Sequence, residues 1–134
     1  MREIKFRGKD KINGKWHIGD LMTMQHFVAG EEGNYQISDF ERSVVYEVEP
    51  KTIGQFTGVY DKNGKEIYEG DIFEIDDYTK GVVVYLESEG TFGIRCKYDE
   101  DDLNEPFSYY LLDEMEVLGN EYDNPELLGG WSNE

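Results

Sequence analysis

Apolar side chains recur at every second position through much of this chain, the period of a β-strand with one buried face. Ile4 and Phe6 alternate with Lys5 and Arg7, and Lys15-Trp16-His17-Ile18 follows the pair Asn13-Gly14. Asn-Gly suits a type I′ turn, whose two central residues both need positive φ. The pattern therefore predicts an N-terminal hairpin with Ile4, Phe6, Trp16 and Ile18 facing inward. Residues 19–43 fit two readings, since Leu21, Met22, Met24 and Phe27 could line a strand or a short helix. Gly30-Glu31-Glu32-Gly33-Asn34 reads as a polar loop. Val44, Tyr46 and Val48 then alternate with Val45, Glu47 and Glu49, in a strand that Pro50 ends.

Glycines punctuate the next stretch, from Thr52 to Ile72. Asp61-Lys62-Asn63-Gly64 has the residues of a tight turn, with the Asp61 carboxylate free to bond the backbone two residues on. Tyr60 and Ile67 flank that turn as a cross-strand pair. Glu69-Gly70-Asp71 imposes a second sharp bend. Short strands are then expected at Ile72–Ile75, Gly81–Leu86 and Thr91–Tyr98, followed by a long acidic loop and last strands at Ser108–Leu112 and Met115–Leu118. So many short strands between glycine turns predict a small closed barrel, because closure removes exposed sheet edges. Pro125 can open a single helical turn over Glu126, Leu127 and Leu128. The organisation read from the chain is a β-rich subdomain over 1–58, a barrel over 59–120 and a tail over 121–134.

Composition places this pattern in a folded class. A chain of 134 residues buries roughly two-thirds of its unfolded surface on folding. Its 38% hydrophobic and 14% aromatic content is above that of a disordered acidic chain. Cys96 is the single cysteine, so no intrachain disulfide can form. It falls in the alternating run Phe92 to Tyr98 and is expected as a small buried hydrophobe. No basic, hydrophobic leader opens the sequence and no apolar run approaches the ~18 residues of a membrane span. A soluble protein of a reducing cytoplasm, bacterial or phage-infected, is the expectation.

Charge changes the picture more. The net charge is −17, yet residues 1–16 carry six bases against Glu3 and Asp10, a local +4, so the remainder sums to −21. Between Lys97 and Glu126 eleven acids face one base. Such a field repels phosphate backbones, and direct nucleic-acid binding through the body of the protein is disfavoured. The basic start and the acidic remainder can attract each other within a chain or between chains, over ~8–10 Å at ordinary salt.

Candidate chemistry is sparse. Asp71, Glu74, Asp76 and Asp77 form the best carboxylate cluster on paper, but Asp71 and Glu74 lie on opposite faces of an extended strand, and a hard cation needs oxygens converging from several sides. His17 and His26 are the two histidines, and no His-Glu-x-x-His or second cysteine joins them. No Gly-x-Ser-x-Gly elbow occurs. Glycines 54, 58, 64 and 70 lack a following Gly-Lys-Ser/Thr and read as turn residues. Asp99-Glu100-Asp101-Asp102 with Glu105 reads as a solvated loop or as a docking surface for a basic partner. Tyr109-Tyr110-Leu111-Leu112 reads as a buried strand or as one facing another subunit. No catalytic residue, cofactor or metal ligand is assigned. The candidate interaction surface comprises Lys5, Arg7, Lys9, Asp99, Glu100, Asp101, Asp102, Tyr109 and Tyr110.

Three ordered segments carry a resemblance. The start Met1-Arg2-Glu3-Ile4-Lys5-Phe6-Arg7, the central Ile53-Gly54-Gln55-Phe56-Thr57-Gly58 with Asp61-Lys62-Asn63-Gly64-Lys65-Glu66-Ile67-Tyr68-Glu69-Gly70-Asp71-Ile72, and the closing Glu116-Val117-Leu118-Gly119-Asn120 with Asp123-Asn124-Pro125-Glu126-Leu127-Leu128 resemble the YopX-like proteins of phages and prophages. Gly8 departs from that pattern, standing where a bulky residue is common, and the 99–105 loop is unusually acidic. The resemblance implies a phage or prophage origin, an SH3-like barrel for the second half and self-assembly. It implies no catalytic residues. The expectation is therefore a mainly β, non-enzymatic accessory protein that acts by protein–protein binding or as a homo-oligomer, with a basic host or phage protein as an external partner. Two alternatives stand beside it: an acidic mimic of DNA that occupies a host nucleic-acid-binding protein, and a small enzyme or ligand binder using the barrel's open end near Tyr68 and Asp71.

Overall fold

The computed structural model describes residues 2–24, 34–39, 41–77, 79–98 and 101–129, with the backbone alone at 24, 97, 98, 101 and 102. The chain divides into two compact units, Met1–Phe56 and Thr57–Glu134. Regular structure among the described residues consists of antiparallel strands and short 3-10 turns, without an α-helix. No helix among them is long and apolar enough to cross a membrane.

In the first unit, β1 (Phe6–Lys9), β2 (Trp16–Met24), β3 (Asn34–Asp39) and β4 (Val44–Val48) pair in the order β4-β3-β2-β1, and β5 (Gly54–Tyr60) begins alongside β1. The reading left open over 19–43 resolves as strand where it is described, while Phe27 and the 30–33 loop lie outside the described residues. β4 also returns to the end of β1: Glu49 N donates to Lys9 O at 2.8 Å, Lys11 N to Glu47 O at 3.1 Å, and Asp10 bridges Val48. That approach accounts for Gly8, because a Cβ there would stand 2.9 Å from Val48 Cγ2. A bulky residue would separate the two strands.

Two features of the expected hairpin are corrected. Asn13-Gly14 is not a two-residue type I′ turn, since Gly14 has φ 70° but Asn13 is not in the positive-φ region. Asp10 N reaches Lys15 O, leaving a four-residue loop. Its shape is held by side-chain oxygens, with Ile12 N donating to Asp10 Oδ1 at 2.8 Å and Lys15 N to Asn13 Oδ1 at 2.9 Å. The predicted inward face also fails in part: Ile4 and Ile18 are exposed, whereas Arg7 is buried. The Arg7 guanidinium lies 4.7 Å from the Trp16 ring centroid, and Lys9 Nζ lies 5.7 Å from it. An aromatic face lets a cation enter an apolar surface.

In the second unit, β5 continues and pairs with β6 (Glu66–Tyr68). A separate sheet has the order β10-β9-β8-β7-β11, with β7 Asp71–Glu74, β8 Lys80–Leu86, β9 Thr91–Tyr98, β10 Asp101–Pro106 and β11 Val117–Asn120. Alternation along β7 sends Phe73 into one apolar cluster with Ile67, Val83, Ile94, Cys96, Leu112 and Val117. It sends Ile72 to the opposite face, with Val82 and Leu128. Leu128 sits in the 3-10 turn Pro125–Leu128, so the segment read as a tail supplies a buried side chain. No ladder joins β10 to β11 among the described residues.

The acidic stretch and the apolar run after it exchange roles. Asp101–Pro106, expected within a loop, pairs with β9 from Asp101↔Tyr98 to Pro106↔Gly93. Ser108–Leu112, expected as a strand, instead joins two 3-10 turns, Phe107–Tyr109 and Leu112–Glu114. The last strand starts at Val117 rather than Met115 and runs to Asn120.

Candidate interaction surface

The groups most able to do chemistry are tied into the fold. Asp61 closes the turn after β5: its Oδ1 accepts from Asn63 N and Lys65 N, both at 2.9 Å, and its Oδ2 accepts from Val117 N at 3.0 Å. Burial pushes the Asp61 carboxyl upward, but those three backbone donors and the Lys65 charge outweigh it and hold the group below its ordinary value. Asp71, only 1% exposed, accepts from Tyr68 N at 2.8 Å. Tyr68 is also buried. Glu74, Asp76 and Asp77 are exposed, unlike Asp71. Among the described residues no three His, Cys, Asp or Glu side chains are grouped to hold a metal ion.

Cys96 is fully buried in β9, as its alternating run predicts. Burial raises its thiol pKa; the Tyr110 hydroxyl, 3.8 Å from Sγ, works in the opposite direction, and the charges of Asp76 and Glu105 add to the rise. His17 Nε2 lies 2.9 Å from Asp10 Oδ2, and the His17 ring stacks on Tyr46 with centroids 3.5 Å apart. The bond from Ile12 N, then His17, lowers the Asp10 carboxyl pKa. This cluster anchors the base of the β1–β2 loop. His26 lies outside the described residues.

Of the nine residues singled out from the sequence, five are described with their side chains. Arg7 is 8% exposed, and Lys5 and Lys9 are half-buried, with Lys5 3.2 Å from Glu3 and 5.0 Å from the Phe56 ring centroid. The exposed cations of this region are instead Arg2, Lys11 and Lys15. Asp99 and Glu100 lie outside the described residues, and the backbone of Asp101 and Asp102 opens β10. Tyr109 is exposed while Tyr110 is half-buried against the core.

Two exposed apolar features emerge in their place. At the tip of the β1–β2 loop, Ile12 is 96% exposed between Lys11 and Lys15. The loop's backbone and Asx bonds fix its position, and Lys11 Nζ lies 3.2 Å from Glu47. In the second unit, Tyr109 and Leu111 are 72% and 66% exposed, while Leu112 enters the core. Leu103, also exposed, sits opposite Cys96 in the β9–β10 register. It therefore shares the face on which Tyr110 approaches Cys96. Exposed Asp113 and Glu114 follow Leu111, and Glu105 lies two residues from Leu103 on the same strand face. Sequence pattern alone passed over Ile12 because a single apolar residue in a polar turn has no periodicity to reveal it.

Among the described residues these features define a two-unit antiparallel β protein in which the carboxylates of Asp10, Asp61 and Asp71 serve turns. The chain belongs to the YopX protein family, whose model matches residues 5–129. Its fold is similar to that of protein EF1440 from Enterococcus faecalis, known from a crystal structure: the likeness covers 96% of this chain and 99% of that one, with a TM-score of 0.53 and 22% identity. At that identity the likeness speaks for the fold alone. Among curated proteins none matches the sequence.

Proposed function

We propose that this chain is a non-enzymatic accessory protein of phage or prophage origin that acts by binding, foremost to copies of itself. The observation that carries the reading is the contrast between its interior and its surface. Asp61, Asp71, Asp10 and Cys96 are committed to turns and core, while Ile12, Tyr109 and Leu111 stand in solvent beside charges of opposite sign. Exposed apolar side chains beside charged rims are the usual composition of a contact surface. An SH3-like barrel for the second unit belongs to the same reading, supported by its short antiparallel strands around one apolar cluster. Sedimentation velocity across a wide concentration range tests the proposal: species heavier than the monomer should grow with concentration, and a single monomeric boundary throughout would refute self-binding.

The charge distribution favours a second reading, in which the acidic remainder (−21 beyond residue 16) captures a basic host or phage protein, including by mimicry of DNA. Replacing Asp99, Glu100, Asp101 and Asp102 by Asn or Gln should then weaken capture from lysate and flatten its salt dependence. Unchanged capture would remove that run from the account.

A further inference from the structure

The same triplet occurs twice in the chain, as Asn13-Gly14-Lys15 and as Asn63-Gly64-Lys65, both times in an exposed turn. Asparagine before glycine is open to reaction within the chain, because glycine has no Cβ to screen its amide nitrogen from the preceding side-chain carbonyl. The glycine nitrogen gives up its proton to base and bonds to asparagine Cγ, and Nδ2 leaves as ammonia. Water then opens the resulting five-membered imide at either carbonyl, to aspartate or isoaspartate. The sum is asparagine plus water to acid plus ammonia, with no oxidant or reductant. We propose that the fold makes Asn13 a site of spontaneous deamidation by water and shields Asn63.

The attacking amides are engaged alike, Gly14 N with Asp10 O and Gly64 N with Asp61 O, both at 3.0 Å. The two turns differ at the asparagine side chain. Lys15 N donates to Asn13 Oδ1 at 2.9 Å, the oxygen that takes up negative charge as Gly14 N adds to Cγ. A donor already aimed at that oxygen strengthens as the charge develops. In the other turn the corresponding amide, Lys65 N, is taken by Asp61 Oδ1 at 2.9 Å, and no donor meets Asn63 Oδ1 among the described residues. Asn63 Nδ2 donates instead to Glu116 Oε1 at 3.4 Å. That carboxylate places negative charge beside a group that must itself become negative. Lys62 Nζ, 3.7 Å from Glu116 Oε2, offsets little of it, because the pair is exposed.

The products differ in what they do to the β1–β2 loop. Either one adds a negative charge to the net −17 and lowers the local +4 of residues 1–16 to +3. Aspartate at 13 keeps an oxygen for Lys15 N. Isoaspartate carries an extra methylene in the main chain, which lengthens the four-residue loop that Asp10 N and Lys15 O close. Since the two triplets are identical, their intrinsic reactivities match once the chain is unfolded, and the ratio of rates in the folded protein reads the turns alone.

The test incubates the full-length protein in mildly alkaline buffer and follows each triplet by peptide mass spectrometry, folded and in guanidinium. In the folded protein Asn13 should convert about tenfold faster than Asn63, a ratio that corresponds to ~1.4 kcal/mol between the two barriers. In guanidinium the two should convert at nearly equal rates. Glu116→Gln, at an exposed position and with its fold checked by urea unfolding, should speed conversion at Asn63 and leave Asn13 unchanged. Equal rates in the folded wild type, or a faster Asn63, would overturn the proposal. An Asn63 rate unaltered in Glu116→Gln would overturn the shielding assigned to that carboxylate, and a lead for Asn13 that persists in guanidinium would show that the turns do not set it.

Discussion

Asp61 shows how one carboxylate organises a turn and a distant strand together. Its two oxygens serve the amides of Asn63 and Lys65 locally and that of Val117 at the start of β11. Asp61→Ala leaves three backbone donors without this acceptor and should cost about 3 kcal/mol, read from urea unfolding, since hydrogen bonds to charged groups are worth ~1.5–3 kcal/mol and buried unsatisfied donors are costly. Asp61→Asn, keeping one acceptor oxygen, should cost less. Because the folded carboxyl sits below its ordinary 3.8, its contribution is fully present above the unfolded value and is lost as pH falls through the lower folded one. The wild type should thus lose stability more steeply than Asp61→Asn on acidification below about pH 4, and parallel acid limbs would contradict the assignment. Gly8 is the second such residue. Gly8→Ala should destabilise by about 1–3 kcal/mol through overpacking against Val48, and the double variant with Val48→Ala should cost less than the two single losses added together. Strict additivity would mean that the two sites do not touch.

Elements were legible where side chains alternate or where short apolar runs lie between turns. β4 and β9 follow the two-residue period of Val44 to Val48 and Thr91 to Tyr98, β7 and β8 show as short apolar, β-branched runs between turns at Ile72–Ile75 and Gly81–Leu86, and the Asp61–Gly64 turn declares itself by residue type. β10 was hidden because Asp101-Asp102-Leu103-Asn104-Glu105-Pro106 has poor strand propensity; its register with β9 supplies the pairing that composition withholds. Tyr109–Leu112 misled in the other direction, since a continuous apolar run says nothing about which residues turn outward. The face of β1 was misjudged because burial of Arg7 depends on Trp16 across the hairpin, a tertiary relation. Within the Tyr109–Leu112 run, Tyr109 and Leu111 are the exposed members, and the exposure of Ile12 and Leu103 emerged only with the fold. β9, flanked by β8 and β10, carries the buried Cys96 thiol, raised in pKa by burial. A disulfide reagent should therefore label Cys96 only through opening of this sheet, at a rate that climbs steeply with sub-denaturing urea. Rapid labelling independent of urea would show that the thiol is accessible in the folded state.

For the whole molecule, charge and exposed apolar side chains decide the function argued above. A net charge of −17 opposes non-specific association of like-charged copies, so any self-binding must place the few exposed bases against acids. Arg7 is not among those exposed bases, since the fold has already buried it. Static light scattering on the unmodified chain, over a concentration series at low and at high salt, tests this most directly. Mass should rise above the monomer with concentration at low salt and fall back as salt screens the lysine–acid contacts. The monomer mass at every concentration and salt would contradict the account.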